Sequence, residues 1–213
     1  MAEQVIVIGL GRFGSSVARE LERLGHEVLG VDRDEAVVNE VAGDLTRALE
    51  LDATDERALS AAGAAEFDVA VVAMSDPEPS IFATTVLKRL GVREVIAKAG
   101  SYLHGAILER VGADRIVFPE RELGTQLART LGAPNVIEYL ELTPGLGVEK
   151  LRPPARFVNR TLRELALKER HELTPLAIVR GRSVIVNPAP DERIADGDQL
   201  LVIGPDRRVR ELR

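Results

Sequence analysis

The sequence predicts an α/β chain in two parts: a doubly wound parallel-sheet domain followed by a second, smaller α+β domain. Three observations carry that prediction. Short β-branched runs alternate with stretches of helical spacing from the N-terminus to residue 118; the rhythm breaks after Pro119; and 213 residues exceed one ordinary domain of roughly 150. A hydrophobic share of 45% with 29% charged residues gives such a chain enough apolar surface to build cores and enough charge to stay soluble.

The elements follow in order. Val5-Ile6-Val7-Ile8, closed by Gly9, reads as a strand, and Phe13, Val17, Leu21 and Leu24 recur at helical spacing over 12–24. Strands are then expected at 28–31, 46–51, 69–73, 94–97 and 115–118, alternating with helices at 34–41, 55–62, 80–90 and 104–111. Continuous apolar strands interleaved with helices belong to a parallel sheet covered on both faces. An amphipathic stretch over 120–131 leads to Gly132-Ala133-Pro134, which places the domains at 1–134 and 135–213. The second domain is expected to hold strands at 136–142, 176–179, 183–186 and 199–203 and a helix at 161–168, with Gly181-Arg182 as a hairpin turn.

Composition narrows the function. Twenty-eight basic against 34 acidic residues leave a net charge of −6, with no global positive field to hold nucleic acid. The absence of cysteine removes disulfides, thiolate catalysis and cysteine-ligated metals. No apolar run approaches the roughly 20 residues of a membrane span. Met1-Ala2-Glu3-Gln4 lacks the basic region of a signal peptide, so a cytoplasmic protein is expected.

Gly9, Gly11 and Gly14 form a G-x-G-x-x-G that follows the first strand and opens the first helix, with Asp32 at the end of the second strand. Glycines allow the tight turn and a close approach to a pyrophosphate, the helix start offers free N–H donors, and the carboxylate accepts from ribose hydroxyls. This is the Rossmann pattern, and Gly9, Gly11, Arg12, Phe13, Gly14, Asp32 and Arg33 are the expected nucleotide-binding residues. Asp32 suits the ribose of NAD, ATP, ADP or AMP and disfavours NADP. Arg33 suits either a 2′-phosphate or an adenine face. Arg12 is placed to reach an outer phosphate, or else is a solvated helix-start arginine. His26 falls in a turn on the edge away from the strands' carboxyl ends, His171 follows a charged helix in the second domain, His104 has no carboxylate partner spaced beside it and reads as a helix-start residue, and neither Tyr102 nor Tyr139 has a lysine four residues on, so no catalytic group is expected.

Val-Ile-Gly-Leu-Gly-Arg-Phe-Gly over 7–14, Gly25-His26-Glu27-Val28-Leu29, Gly-Ala-Asp-Arg-Ile over 112–116, Pro119-Glu120, Asn187-Pro188-Ala189-Pro190 and Asp196-Gly197-Asp198-Gln199-Leu200 together resemble the RCK (regulator of potassium conductance) proteins, in particular the Ktr/Trk regulatory subunits of bacterial potassium uptake. One copy of the unit, rather than two in tandem, is closer to Ktr. The resemblance implies a cytoplasmic, non-enzymatic subunit that binds ATP or ADP (or NAD(H)) and assembles as a dimer-based octameric ring. It implies gating of a KtrB- or TrkH-like membrane partner at the inner face of the cell membrane. It further implies Lys98 at the distal phosphates, Glu120 at Mg²⁺ or another cation near them, and cyclic di-AMP as a ligand of the second domain. Ile178, Arg180, Ile185 and Pro188 are the residues its hairpin offers, with ordinary core and turn roles as the alternative. The rival readings are an NAD-dependent oxidoreductase and a ligand-sensing module of another ion carrier.

Overall fold

The computed structural model describes residues 2–212. Six parallel strands form the first sheet: β1 (Gln4–Ile8), β2 (Glu27–Asp32), β3 (Arg47–Glu50), β4 (Val69–Val72), β5 (Glu94–Lys98) and β6 (Arg115–Val117), in the order β3-β2-β1-β4-β5-β6. Between them run α1 (Arg12–Arg23), α2 (Glu35–Val41), α3 (Glu56–Ala61), α4 (Pro77–Arg89) and α5 (Tyr102–Arg110). Side chains alternate across β1, so that Ile6 and Ile8 enter one core with Leu29, Val72, Leu87 and Leu108, while Val5 and Val7 enter the other with Val28, Val38 and Leu45. Both faces of the sheet are therefore covered, as the unbroken apolar runs require.

Local chemistry sets the helix starts. Asp34, Asp55 and Ser101 accept from backbone N–H groups of the first turns of α2, α3 and α5. Helix α4 begins at Pro77, three residues before the expected start at 80. Pro77 and Pro79 both fall in the first turn, where the missing N–H groups have no intrahelical partner, so the stiff Asp76-Pro77-Glu78-Pro79 segment opens the helix instead of preceding it.

Helix α6 (Pro119–Gly132) buries none of its residues. Beyond it, β7 (Val136–Thr143), β8 (Leu146–Leu151), β9 (Thr174–Arg180), β10 (Ser183–Val186) and β11 (Gln199–Pro205) make an antiparallel sheet in the order β10-β9-β11-β8-β7. Short helices α7 (Leu162–Leu165), α8 (Leu167–His171) and α9 (Asp206–Arg210) complete it around Leu151, Phe157, Leu173, Ile178, Ile194 and Leu200. The expected helix over 161–168 is two helices, because Ala166 adopts a left-handed conformation (φ 48°, ψ 49°) between them. Strand β8 was not expected. Its apolar Leu146 and Val148 lie on one face, yet the sheet buries Gly147, Glu149 and Leu151, with the Tyr139 ring where a Cβ on Gly147 would sit.

By contacts the chain divides into two compact units, one ending at Glu120 and one beginning at Arg121. The sequence-based boundary after 134 counts α6 with the first part, whereas the contacts group all but its first two residues with the second.

Candidate nucleotide site

Strands β1 and β4 lie side by side where the strand order reverses, which opens a crevice at their carboxyl ends. The glycine loop fills the turn from β1 to α1. Gly9 has φ +89°, a left-handed backbone that favours glycine, and a Cβ on Gly14 would stand 1.8 Å from the Gly9 carbonyl oxygen. Gly11 has open space around it and faces the cleft. Helix α1 has no acidic residue in its first turn and no side-chain cap, and instead carries the exposed Arg12 there, so an anion is the electrostatic complement this end lacks.

A cleft of about 610 Å³ opens on this loop. Asp32 and Arg33 from the end of β2 line it, as do Asp52 and Thr54 after β3, Met74 to Asp76 after β4, and Pro79 and Phe82 of α4. The Asp32 carboxylate accepts from the Leu10 N–H at 2.7 Å and from the Asp34 N–H at 3.1 Å. It thereby ties the glycine loop to β2 while remaining on the cleft wall. Thr54 donates its N–H and its hydroxyl to Asp52, and these bonds, helped by the Arg33 charge, hold the Asp52 carboxyl below its ordinary range.

Lys98, at the end of β5, is buried to 7% exposure and pairs with the exposed Glu120 carboxylate at 2.8 Å. Its ammonium also reaches Ser75 Oγ at 3.2 Å and lies 5.8 Å from the centre of the Phe13 ring. The bond from Lys98 lowers the Glu120 pKa most, and the charges of Lys98 and Arg12 add to it. Phe13, Lys98 and Glu120 thus come together beside the first turn of α1, with Arg12 near enough for its charge to be felt. No group of three or more His, Cys, Asp or Glu able to hold a metal occurs among the described residues. Glu120 therefore offers a cation one carboxylate and no cage.

The hairpin residues of the second unit are placed as follows. Ile178 and Ile185 face each other across β9 and β10, and with Ile178 wholly buried and Ile185 packed on the same core, both take the ordinary core role that stands as the alternative. Pro188 is half-buried. The Arg180 guanidinium, one of the residues the hairpin offers to cyclic di-AMP, bonds both carboxylate oxygens of the buried Asp198 (2.9 and 2.8 Å), Glu192 (3.2 Å) and the Arg193 carbonyl (2.9 Å). It is held by its own chain. His104, expected as a plain helix-start residue, is buried in α5. Asp52, Thr54, Ser75 and Phe82 escaped the sequence reading; the available signal for the first three was their position just past the carboxyl ends of β3 and β4, the edge on which such crevices open, whereas Phe82 lies inside α4.

Residues 5–119 match the model of the TrkA-N domain, and residues 148–213 match that of the TrkA-C domain. The chain belongs to the Ktr/Trk family of RCK proteins. It is 34% identical over 209 residues to Ktr system potassium uptake protein A of Bacillus subtilis (strain 168), covering 98% of this chain and 94% of that protein. Ktr system potassium uptake protein C of the same organism is 38% identical over 205 residues, with 96% and 93% covered. Among solved structures, the GsuK channel bound to NAD superposes with a TM-score of 0.68 at 18% identity, over 98% of this RCK chain and 38% of that one; the likeness is one of fold. As an RCK protein, the chain places its glycine loop, Asp32 and the Lys98–Glu120 pair within the TrkA-N part or directly at its end.

Proposed function

We propose that this RCK chain is the nucleotide-sensing regulatory subunit of a membrane potassium uptake system, with an adenine nucleotide bound in the β1/β4 cleft as a ligand and not as a substrate. The observation that carries the reading is the coincidence, at one sheet edge, of a glycine loop at an uncapped helix start with the Lys98 ammonium beside it. In the reading, Gly9, Gly11 and Gly14 admit the phosphates to the α1 N–H groups, Asp32 meets the ribose, Arg33 borders the base, and Arg12 and Lys98 receive the outer phosphates. ATP and ADP suit two cations at the phosphate end, and NAD(H) fits the same crevice. Mg²⁺ or another cation joins only with nucleotide, since Glu120 supplies a single carboxylate and bound phosphates must supply further oxygens.

Potassium uptake rests on the named activity of the Bacillus relatives, and a KtrB- or TrkH-like membrane subunit is the partner that follows. The exposed stripe of Leu123, Leu127 and Leu131 on α6 supports assembly of copies into a dimer-based ring of eight. No helix among the described residues is long and apolar enough to cross a membrane, which accords with a peripheral subunit held at the inner face by its partner. Titration calorimetry of the full chain with ATP, ADP, AMP and NAD tests the core of the reading: saturable heat with at least one adenine nucleotide is expected, and silence with all four ends it.

A further inference from the structure

His104 sits on α5 at 3% exposure, facing Ser80 of α4 at 0%. The two side chains form a directional chain of hydrogen bonds. The Gly100 N–H donates to His104 Nδ1 at 3.3 Å, His104 Nε2 and Ser80 Oγ are 2.7 Å apart, and the Ser80 hydroxyl donates to the Pro77 carbonyl at 3.0 Å. Ser80 has given its hydrogen to Pro77 and Nδ1 faces an N–H, so the network assigns the imidazole hydrogen to Nε2 and leaves the ring neutral. Burial, which lowers the His104 pKa, favours that neutral form.

The two ends of this chain are two parts of the nucleotide region. Pro77 stands between Asp76 and Glu78 in the first turn of α4, whose Asp76, Glu78, Pro79 and Phe82 form one wall of the cleft. Gly100 lies two residues past Lys98 in the loop after β5. That first turn is weakly tied: two of its first three residues are prolines, Asp76 makes no side-chain capping bond, and the bond from the Ser80 N–H to the Asp76 carbonyl is long at 3.3 Å.

We propose that His104 is a positioning residue for the nucleotide cleft, a strut that fixes the α4 wall at a set distance from the loop carrying Lys98. The proposal rests on the nucleotide reading of the cleft. His104 touches no ligand; it acts through Ser80 on Pro77 and through Gly100 on the segment after Lys98. Loss of the strut lets the α4 turn fray away from the cleft and lowers affinity without unfolding the sheet.

The test uses the full chain at neutral pH with ADP as probe, in the wild type and in His104→Leu, Ser80→Ala and His104→Gln. Leucine fills the space but makes no bonds, whereas the glutamine amide reaches the depth of Nε2 and can donate to Ser80. His104→Leu and Ser80→Ala are each expected to bind ADP about fivefold more weakly, the scale of one neutral hydrogen bond, with His104→Gln restored to within about twofold of wild type. Hydrogen exchange is expected to quicken in residues 76–84 of the two weakened variants and to stay unchanged in β1 and β2. Equal ADP affinity in all four proteins overturns the role, as does a loss that glutamine fails to restore or that comes with faster exchange throughout the first unit. Absence of binding of ADP, ATP, AMP and NAD alike by the wild type overturns the nucleotide reading and this role with it.

Discussion

Lys98 and Glu120 form an unequal pair, since the ammonium is fixed by burial, by Ser75 and by the Phe13 ring, while the carboxylate 2.8 Å away stands in solvent. Of the two, Glu120 is the partner free to leave. In the proposed reading, an arriving phosphate would compete for the ammonium with better charge and more acceptor oxygens, and the displaced carboxylate would then be available to a cation that accompanies the nucleotide.

Glu120→Gln is expected to leave ADP and ATP affinity within about twofold of wild type, because in the proposed reading the phosphates take the Lys98 ammonium from Glu120 on binding. It is expected to remove the gain in affinity or assembly that Mg²⁺ gives. Calorimetry with and without Mg²⁺ reads both effects, and an undiminished Mg²⁺ dependence contradicts the role given to Glu120.

Arg12→Ala is expected to weaken ATP more than AMP, by roughly 1.5–3 kcal/mol for the one charge-assisted bond lost. Equal losses for the two nucleotides would move Arg12 away from the outer phosphates.

The loop glycines separate a structural from a binding demand. Gly14→Ala drives a Cβ to 1.8 Å from the Gly9 carbonyl, so the loop must shift, and a loss of several kcal/mol in unfolding free energy is expected, at least about 3. Gly11 meets nothing within 4 Å and is extended (φ −60°, ψ −173°). Gly11→Ala is therefore expected to melt within a few degrees of wild type, a change of about 0.5 kcal/mol or less, yet to bind nucleotide poorly because its methyl stands where phosphate approaches. Unfolding curves and nucleotide titrations on the same two variants check both halves.

His104 ties stability to pH. Burial holds its folded-state pKa below the ordinary imidazole value of about 6.5, so the unfolded chain takes up the proton first as pH falls. The stabilisation is full well above the unfolded value of about 6.5 and is lost progressively as pH falls through it toward the lower folded value. Urea unfolding of wild type against His104→Gln isolates this share, since the glutamine variant lacks it.

Arg180→Ala is expected to destabilise the second unit by about 2 kcal/mol, because the Asp198 carboxylate, fully buried and held below its usual pKa chiefly by Arg180, loses its charged donor. Weaker binding of cyclic di-AMP in that variant would then report unfolding as readily as a lost contact. Surface residues such as Arg182 are the proper comparison, and equal stability of Arg180→Ala and Arg182→Ala contradicts the structural role.

Much of the first sheet was legible because its strands are buried on both faces and read as unbroken apolar runs, and because Gly9, Gly11, Gly14 and Asp32 stand at spacings set by backbone geometry. Strand β8 was hidden because its buried face carries Gly147 and Glu149, so that its apolar alternation points the other way. The bond between Ser80 and His104 spans 24 residues and two helices; only the packing of α4 on α5 makes it. Arg180 looked available in sequence because its partner Asp198 lies 18 residues on, beyond a turn.

The pairing of β1 also orders events in time. On one flank β1 meets β2, its next strand in sequence, and on the other it meets β4, where Val5 pairs with Val69. A chain leaving the ribosome can zip β1 to β2 and β3 early, but the opposite flank stays an open strand edge until β4 has been made, with the extra loop-closure entropy of a distant contact. The cleft straddles that seam. Its completion is thus tied to the docking of β4, and any molecule that bridges the two strands would hold that seam closed by mass action.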